Sequence, residues 1–165
     1  MKTILKVLDI FEEGVSMLGF FLMFAVVTIN VFSRYVLGRS FSWAEEVSYI
    51  CFAWSVFMGV CILYKKQGLI CIDILVNHMP EKIQKIVRIA TFALISITNA
   101  MLVFYGFSLA NGAWIRKSAS LQVPYFFIDM APTTAFTILL FYSIRFLILS
   151  VKGEEIDEKS LEERS

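Results

Sequence analysis

Charge is what this sequence has least of. Only 18% of its 165 residues are charged, against about 25% in an ordinary soluble domain, so there are too few polar side chains to clothe a globule in water. With 58% of the chain apolar and a mean hydropathy of +0.73, a water-soluble fold is excluded and a polytopic membrane protein is expected. Histidine is nearly missing. The single one, His78, lies beside Asn77 and Pro80 in a predicted turn, so no cluster of His and acidic residues is available at metal-ligand spacing. The three cysteines, Cys51, Cys61 and Cys71, include no CxxC pair, which argues against a membrane thiol oxidoreductase exchanging disulfides. Cys51 and Cys61 sit in an apolar run, where a free thiol behaves as a small hydrophobe. The eight glycines are scattered and build no phosphate-cradling loop, so ATP hydrolysis is not encoded. A net charge of +1 supplies no basic footprint for nucleic acid. Nothing in the chain provides a catalytic cluster, so no enzyme activity and no cofactor of its own are expected.

What is abundant is apolar sequence in lengths that match a bilayer. A hydrocarbon core of about 30 Å takes roughly 20 helical residues to cross. Four segments qualify, at about 15–35, 43–64, 88–114 and 130–151. The predicted fold class is therefore all-α integral membrane, one compact bundle of four transmembrane helices over residues 15–151 with short interfacial helices. Residues 1–14 alternate apolar and charged positions at helical spacing and read as an amphipathic helix lying in the interface. The segment 15–35 lacks a small-residue cleavage site and is read as a retained span rather than a signal peptide. Residues 69–79, broken by Asp73, are too short to cross and read as a second interfacial helix. Pro80 suits the first turn of the helix that follows. For the last span a start at Asp129 is preferred to one at Pro124, because counting back 20 residues from Val151 reaches Pro132 and leaves Asp129 at the surface as a helix cap, whereas the earlier start places Pro132 inside the helix. Residues 152–165, with six acidic side chains, read as a solvated tail.

Four crossings put both termini on one side together with the long connection after the second span. That side collects eleven Lys and Arg, while the other holds Arg34, Arg39, Arg116 and Lys117. The positive-inside rule then makes both termini cytoplasmic and turns two short loops outward. Glu45 and Glu46 are the acidic residues that fall within a predicted span, where an ionisable side chain suggests function by default. Glu46 precedes Lys65 by 19 residues, about 28 Å of helix at 1.5 Å per residue, so both glutamates belong at the outer interface and not at mid-membrane. A proton-coupled exporter needs a carboxylate near the middle of a helix, which this chain lacks. Ser42 and Glu45 match a capping box. Glu46 is left to an internal ion pair with Arg34 or Arg39, or to a contact with a partner chain. Gly59, Gly106 and Ala110 allow close helix approach, within the chain or between subunits. The sixteen Phe exceed what four helices bury among themselves, so lipid is an expected partner of the outer faces.

Asn30-Val31, Arg34-Tyr35, Trp43-Ala44-Glu45-Glu46, Trp54, Gly59, Gly68 and Asp73, followed by Leu121, Pro124 and Pro132, resemble the small membrane subunit of the tripartite ATP-independent periplasmic (TRAP) transporters, the DctQ-like family. The resemblance covers about residues 15–150. The family often carries a histidine four residues before the aspartate of the cytoplasmic turn, where this chain has Leu69. What the resemblance implies is a subunit of the bacterial inner membrane that does not itself carry substrate. A large TRAP membrane subunit would move an organic acid with the sodium gradient and bind the sodium ions. A periplasmic substrate-binding protein would deliver the substrate. The small subunit would brace the large one and help dock the binding protein, with Arg34, Arg39, Trp43, Glu45 and Glu46 shaping the outer surface and Arg116 and Lys117 meeting the periplasmic partner. Apart from the resemblance, the residues also accommodate a self-contained four-span transporter or a membrane assembly factor.

Overall fold

In the computed structural model, which describes residues 2–66 and 80–152, the chain forms four helices: α1 Lys2–Val36, α2 Ser42–Lys65, α3 Glu81–Ala113 and α4 Phe126–Lys152. No strand occurs among the described residues, and all four helices are long and apolar enough to cross a membrane, as an all-α integral fold requires. The predicted interfacial helix at 69–79, with Leu69, Asp73 and His78, lies outside the described residues, as does the tail from 153 onward.

The helices differ from the sequence reading at two ends. α1 is unbroken from Lys2 to Val36, so the segment expected to lie apart in the interface continues the first span. Two contacts explain this. Leu8 packs against the central core, and Asp9 forms an ion pair with Lys65 at the end of α2, so the first turns are held on the protein. α4 starts at Phe126 and contains Pro132, contrary to the preferred later start. The chain is already turning at Pro124 and Tyr125, whose carbonyls accept the N–H groups of Phe127 (3.3 Å), Ile128 (2.9 Å) and Asp129 (3.0 Å). Proline suits such a helix start. Beyond Pro132, Thr133 and Thr134 donate their hydroxyls to the carbonyls of Asp129 (2.8 Å) and Met130 (2.7 Å), the back-bonding within a helix that Ser and Thr side chains make.

The predicted compact bundle is an open row. α1 packs on α2, α2 on α4 and α4 on α3, so the order in space is α1, α2, α4, α3. The core lies where the central pair meets, with Met58, Cys61 and Tyr64 of α2 against Ala135, Ile138, Leu139, Tyr142 and Phe146 of α4, joined by Phe92 of α3. α2 and α4 run in the same direction. Trp54 Nε1 reaches the Phe127 carbonyl at 3.0 Å, Phe57 meets Phe136, and Tyr64 meets Phe146.

Small residues set the spacing, as expected where lipid removes the hydrophobic drive between helices. A Cβ on Gly19 would lie 3.0 Å from the Cys51 carbonyl oxygen. One turn earlier, Ser16 and Ser55 exchange hydroxyl-to-carbonyl bonds of 3.1 and 2.9 Å. On the other side of the row, a Cβ on Gly106 would come within 2.7 Å of Thr133 Oγ1, and Ala110 is buried. The close approach at Gly106 and Ala110 is therefore internal. The edge helices α1 and α3 leave large apolar side chains uncovered along their length, among them Phe20, Phe21, Phe24, Leu94, Ile97 and Phe104.

Candidate functional site

Among the described residues, the charged side chains gather at the two ends of the row, while polar contacts within the spans include the helix-to-helix tie of Ser16 and Ser55. The loop end holds residues 37–41 and 114–125. The opposite, terminal end holds the first turns of α1 and the last residues of α2 and α4.

At the loop end Glu46 accounts for itself. It stands one turn inside α2 and is half-buried. Its Oε2 accepts the Ser118 hydroxyl (2.8 Å) and the Leu121 N–H (2.8 Å), while Oε1 accepts the Ser120 N–H (2.7 Å). The carboxylate is thus held by the loop between α3 and α4, across more than 70 residues of chain, and not by Arg34 or Arg39. Two consecutive backbone N–H groups make a small anion nest, and a carboxylate with both oxygens accepting is the side chain that fills it. Ser118 is buried. Its oxygen also accepts the Val123 N–H at 3.1 Å, so it is used as both donor and acceptor. The loop closes on itself through Ser118 N–H to the Val123 carbonyl and Tyr125 N–H to the Arg116 carbonyl, both 2.9 Å. Gln122 turns the chain with φ of 56°, a left-handed conformation uncommon outside glycine and asparagine.

Arg116 is exposed but oriented. Its Nη2 lies 3.3 Å from Asp129 Oδ2, and its guanidinium sits 5.9 Å from the centre of the Tyr125 ring. Asp129, expected as a surface cap, is instead an ion-pair partner in the first turn of α4. Lys117 is exposed and has no ion pair among the described residues. Beside it stand Ile115, 86% exposed, with Trp114 and Leu121 also uncovered. A groove of about 720 Å³ between α3 and α4 runs from Leu102 and Gly106 to this Arg116–Asp129 pair.

The capping box is not formed. α2 begins at Ser42, its N-cap is Phe41, and no side chain caps it. Asn30 of α1 does the tethering, its Oδ1 accepting the Phe41 N–H at 2.8 Å, while the Ser33 hydroxyl donates to the Arg39 carbonyl at 2.9 Å. These two bonds fix the loop from α1 without Ser42 or Glu45. Glu45, Arg34, Arg39 and Trp43 remain exposed, with the Trp43 ring 5.8 Å from that of Phe41.

The terminal end holds residues that the sequence reading did not single out. Glu12 is only 1% exposed. Tyr142 of α4 donates its hydroxyl to Glu12 Oε1 at 3.0 Å, and Asp9, one turn earlier, pairs with Lys65 of α2. Three helices are joined by these two contacts. The signal available in the sequence was positional: Asp9 and Glu12 are three apart, so they share one face of a helix that leads straight into a span, where an ionisable residue calls for a partner.

Comparison with known proteins adds the following. Residues 23–153 match the model of the family described as tripartite ATP-independent periplasmic transporters, DctQ component. A Haemophilus influenzae protein named among the TRAP transporter small permeases is 23% identical over 155 residues, which cover 94% of this chain and 93% of that one. The sialic acid TRAP transporter permease protein SiaT of H. influenzae is 27% identical over 109 residues, covering 66% of this chain but 18% of SiaT. The C4-dicarboxylate TRAP transporter small permease protein DctQ of Vibrio cholerae is 29% identical over 108 residues, 64% of this chain and 43% of that protein.

Proposed function

The chain belongs to the DctQ component family of the tripartite ATP-independent periplasmic transporters, a multi-pass membrane component of a transporter and not an enzyme, and from that membership we propose the part it plays. It is the fixed scaffold beside a large permease subunit of the bacterial inner membrane. That large subunit carries an organic acid, driven by the sodium gradient, and binds both substrate and sodium. A periplasmic binding protein brings the substrate, and the loop end of this chain helps receive it.

The observation that carries this reading is the open row itself. Its charged groups are spent at the two ends, where Glu46 ties a loop and Asp9 and Glu12 tie helices, and its edge helices keep broad apolar flanks for lipid or another membrane protein. A carrier needs a polar pocket within the membrane, and the polar contacts of this row are instead structural. The SiaT match supports a large partner, because a segment like this chain makes up a small part of a much longer permease protein. Sialic acid and C4-dicarboxylates, in the names of SiaT and of the Vibrio protein, are both carboxylates, which supports an organic acid as cargo. The orientation follows from charge. Lys65, Lys66, Lys85, Arg88, Arg145 and Lys152 gather at the terminal end, against Arg34, Arg39, Arg116 and Lys117 at the loop end, so the loop end faces the periplasm.

In this arrangement Arg34, Arg39, Trp43 and Glu45 form the outer rim beside the large subunit, while Arg116 and Lys117 meet an acidic periplasmic surface. Contacts of exposed charges act mainly on encounter rate and are screened by salt. The test is recovery of the tagged chain from its native membrane in mild detergent. A many-span permease at near-equal amount is the expected companion, and recovery of the chain alone or as a homo-oligomer would contradict the reading.

A further inference from the structure

The loop-end geometry points to Glu46 as a positioning residue: we infer that its carboxylate shapes loop 114–125 into the surface on which the periplasmic binding protein docks. The inference rests on the docking role proposed above and goes beyond it, because it assigns the loop's shape to a residue of another helix. Glu46 is not itself a docking charge. Both of its oxygens are occupied from the loop side, by Ser118, Ser120 and Leu121. The groups left facing outward are those of the loop: Lys117, the oriented guanidinium of Arg116, and the uncovered Ile115 and Leu121. A cation beside apolar side chains suits a partner surface with carboxylates around an apolar patch.

The chemistry of the nest makes the carboxylate specific. A glutamine at this position has the same size, but only one of its two terminal atoms accepts a hydrogen bond. If its oxygen takes the Ser118 hydroxyl and the Leu121 N–H, its amide NH₂ is turned toward the Ser120 N–H, donor against donor. Ser118 is coupled to the same feature, since it passes the Glu46 contact on to the Val123 N–H. Ahead of the nest, the loop relies on the short antiparallel pairing of Lys117 with Pro124, so the tip between them has few other restraints.

The experiment uses the assembled transporter, with its large subunit, in lipid nanodiscs for exchange and in proteoliposomes for uptake. Glu46→Gln is compared with the native chain, with Ser118→Ala as a second variant that reaches the loop with Glu46 intact and Lys117→Glu as a variant of the docking surface. Backbone hydrogen exchange over residues 117–124 is expected to speed up in Glu46→Gln and Ser118→Ala, with residues 9–16 unchanged. The binding-protein concentration that half-saturates uptake is expected to rise, on the order of fivefold to tenfold, for loss of an oriented charged contact, while uptake at saturation stays the same. Unchanged loop exchange overturns the inference. A loosened loop with unchanged half-saturation also overturns it, and Lys117→Glu then separates the cases. If Lys117→Glu still raises half-saturation, docking stands and only the positioning role falls; if it does not, the docking reading falls with it.

Discussion

The two ends of the helix row are tied in opposite ways. At the terminal end three helices are connected, through the buried Glu12–Tyr142 contact and the partly exposed Asp9–Lys65 pair. At the loop end a single half-buried carboxylate holds a loop through three hydrogen bonds. Burial decides what each tie is worth. A buried ionisable group that loses its partner suffers the full cost of desolvation, whereas a group that water reaches exchanges one partner for another. The terminal end is therefore where the row is held together, and the loop end is where a surface is given its shape.

The sharpest way to break the contrast is Tyr142→Phe, which leaves Glu12 buried without its donor. A loss of about 2 kcal/mol is expected, read as a fall of about 4–8 °C in the thermal midpoint of the detergent-solubilised protein. Glu12→Gln should not repeat it, because an amide oxygen still accepts the Tyr142 hydroxyl and a buried charge is removed. Equal damage from the two would mean that the charge itself is needed at the terminal end. Asp9→Asn should cost less, about 0.5–1 kcal/mol, since the Asp9 and Lys65 side chains remain 23% and 26% exposed and pairs that water reaches are weak. Raising the salt concentration should shrink that difference. Smallest of all on the melting curve is Glu46→Gln, expected to leave the midpoint where it is while loosening the loop. A midpoint that falls as far as in Tyr142→Phe would erase the distinction between the ends.

The spans were readable because the bilayer fixes their length and because Lys65, Lys66, Arg116 and Lys117 punctuate them. Family membership was readable too, from the order of Asn30, Arg34, Trp43, Glu45 and Glu46 along the chain. What escaped was adjacency. Helices that are apolar nearly all round carry no stripe to say which neighbour they face, so a ring and an open row look alike until Gly19 meets Cys51 and Gly106 meets Thr133. Local signals also misled where tertiary partners took over. Ser42 and Glu45 have the spacing of a cap, but Asn30 already holds the Phe41 N–H. Pro132 argues for a helix start, yet α4 begins six residues earlier on a turn organised at Pro124. Glu46 was noticed for its charge, and its partner lay more than 70 residues away, beyond any periodic pattern.

A scaffold that braces a moving subunit has to keep its own shape while the neighbour moves. Spin labels at Phe24 of α1 and Met101 of α3, exposed positions on the two edge helices, report the width of the row in the assembled transporter. The account predicts the same distance distribution with and without sodium, substrate and binding protein. A shift of several ångströms, or a second population appearing only under transport conditions, would mean that this chain moves with the cargo and is not its fixed support.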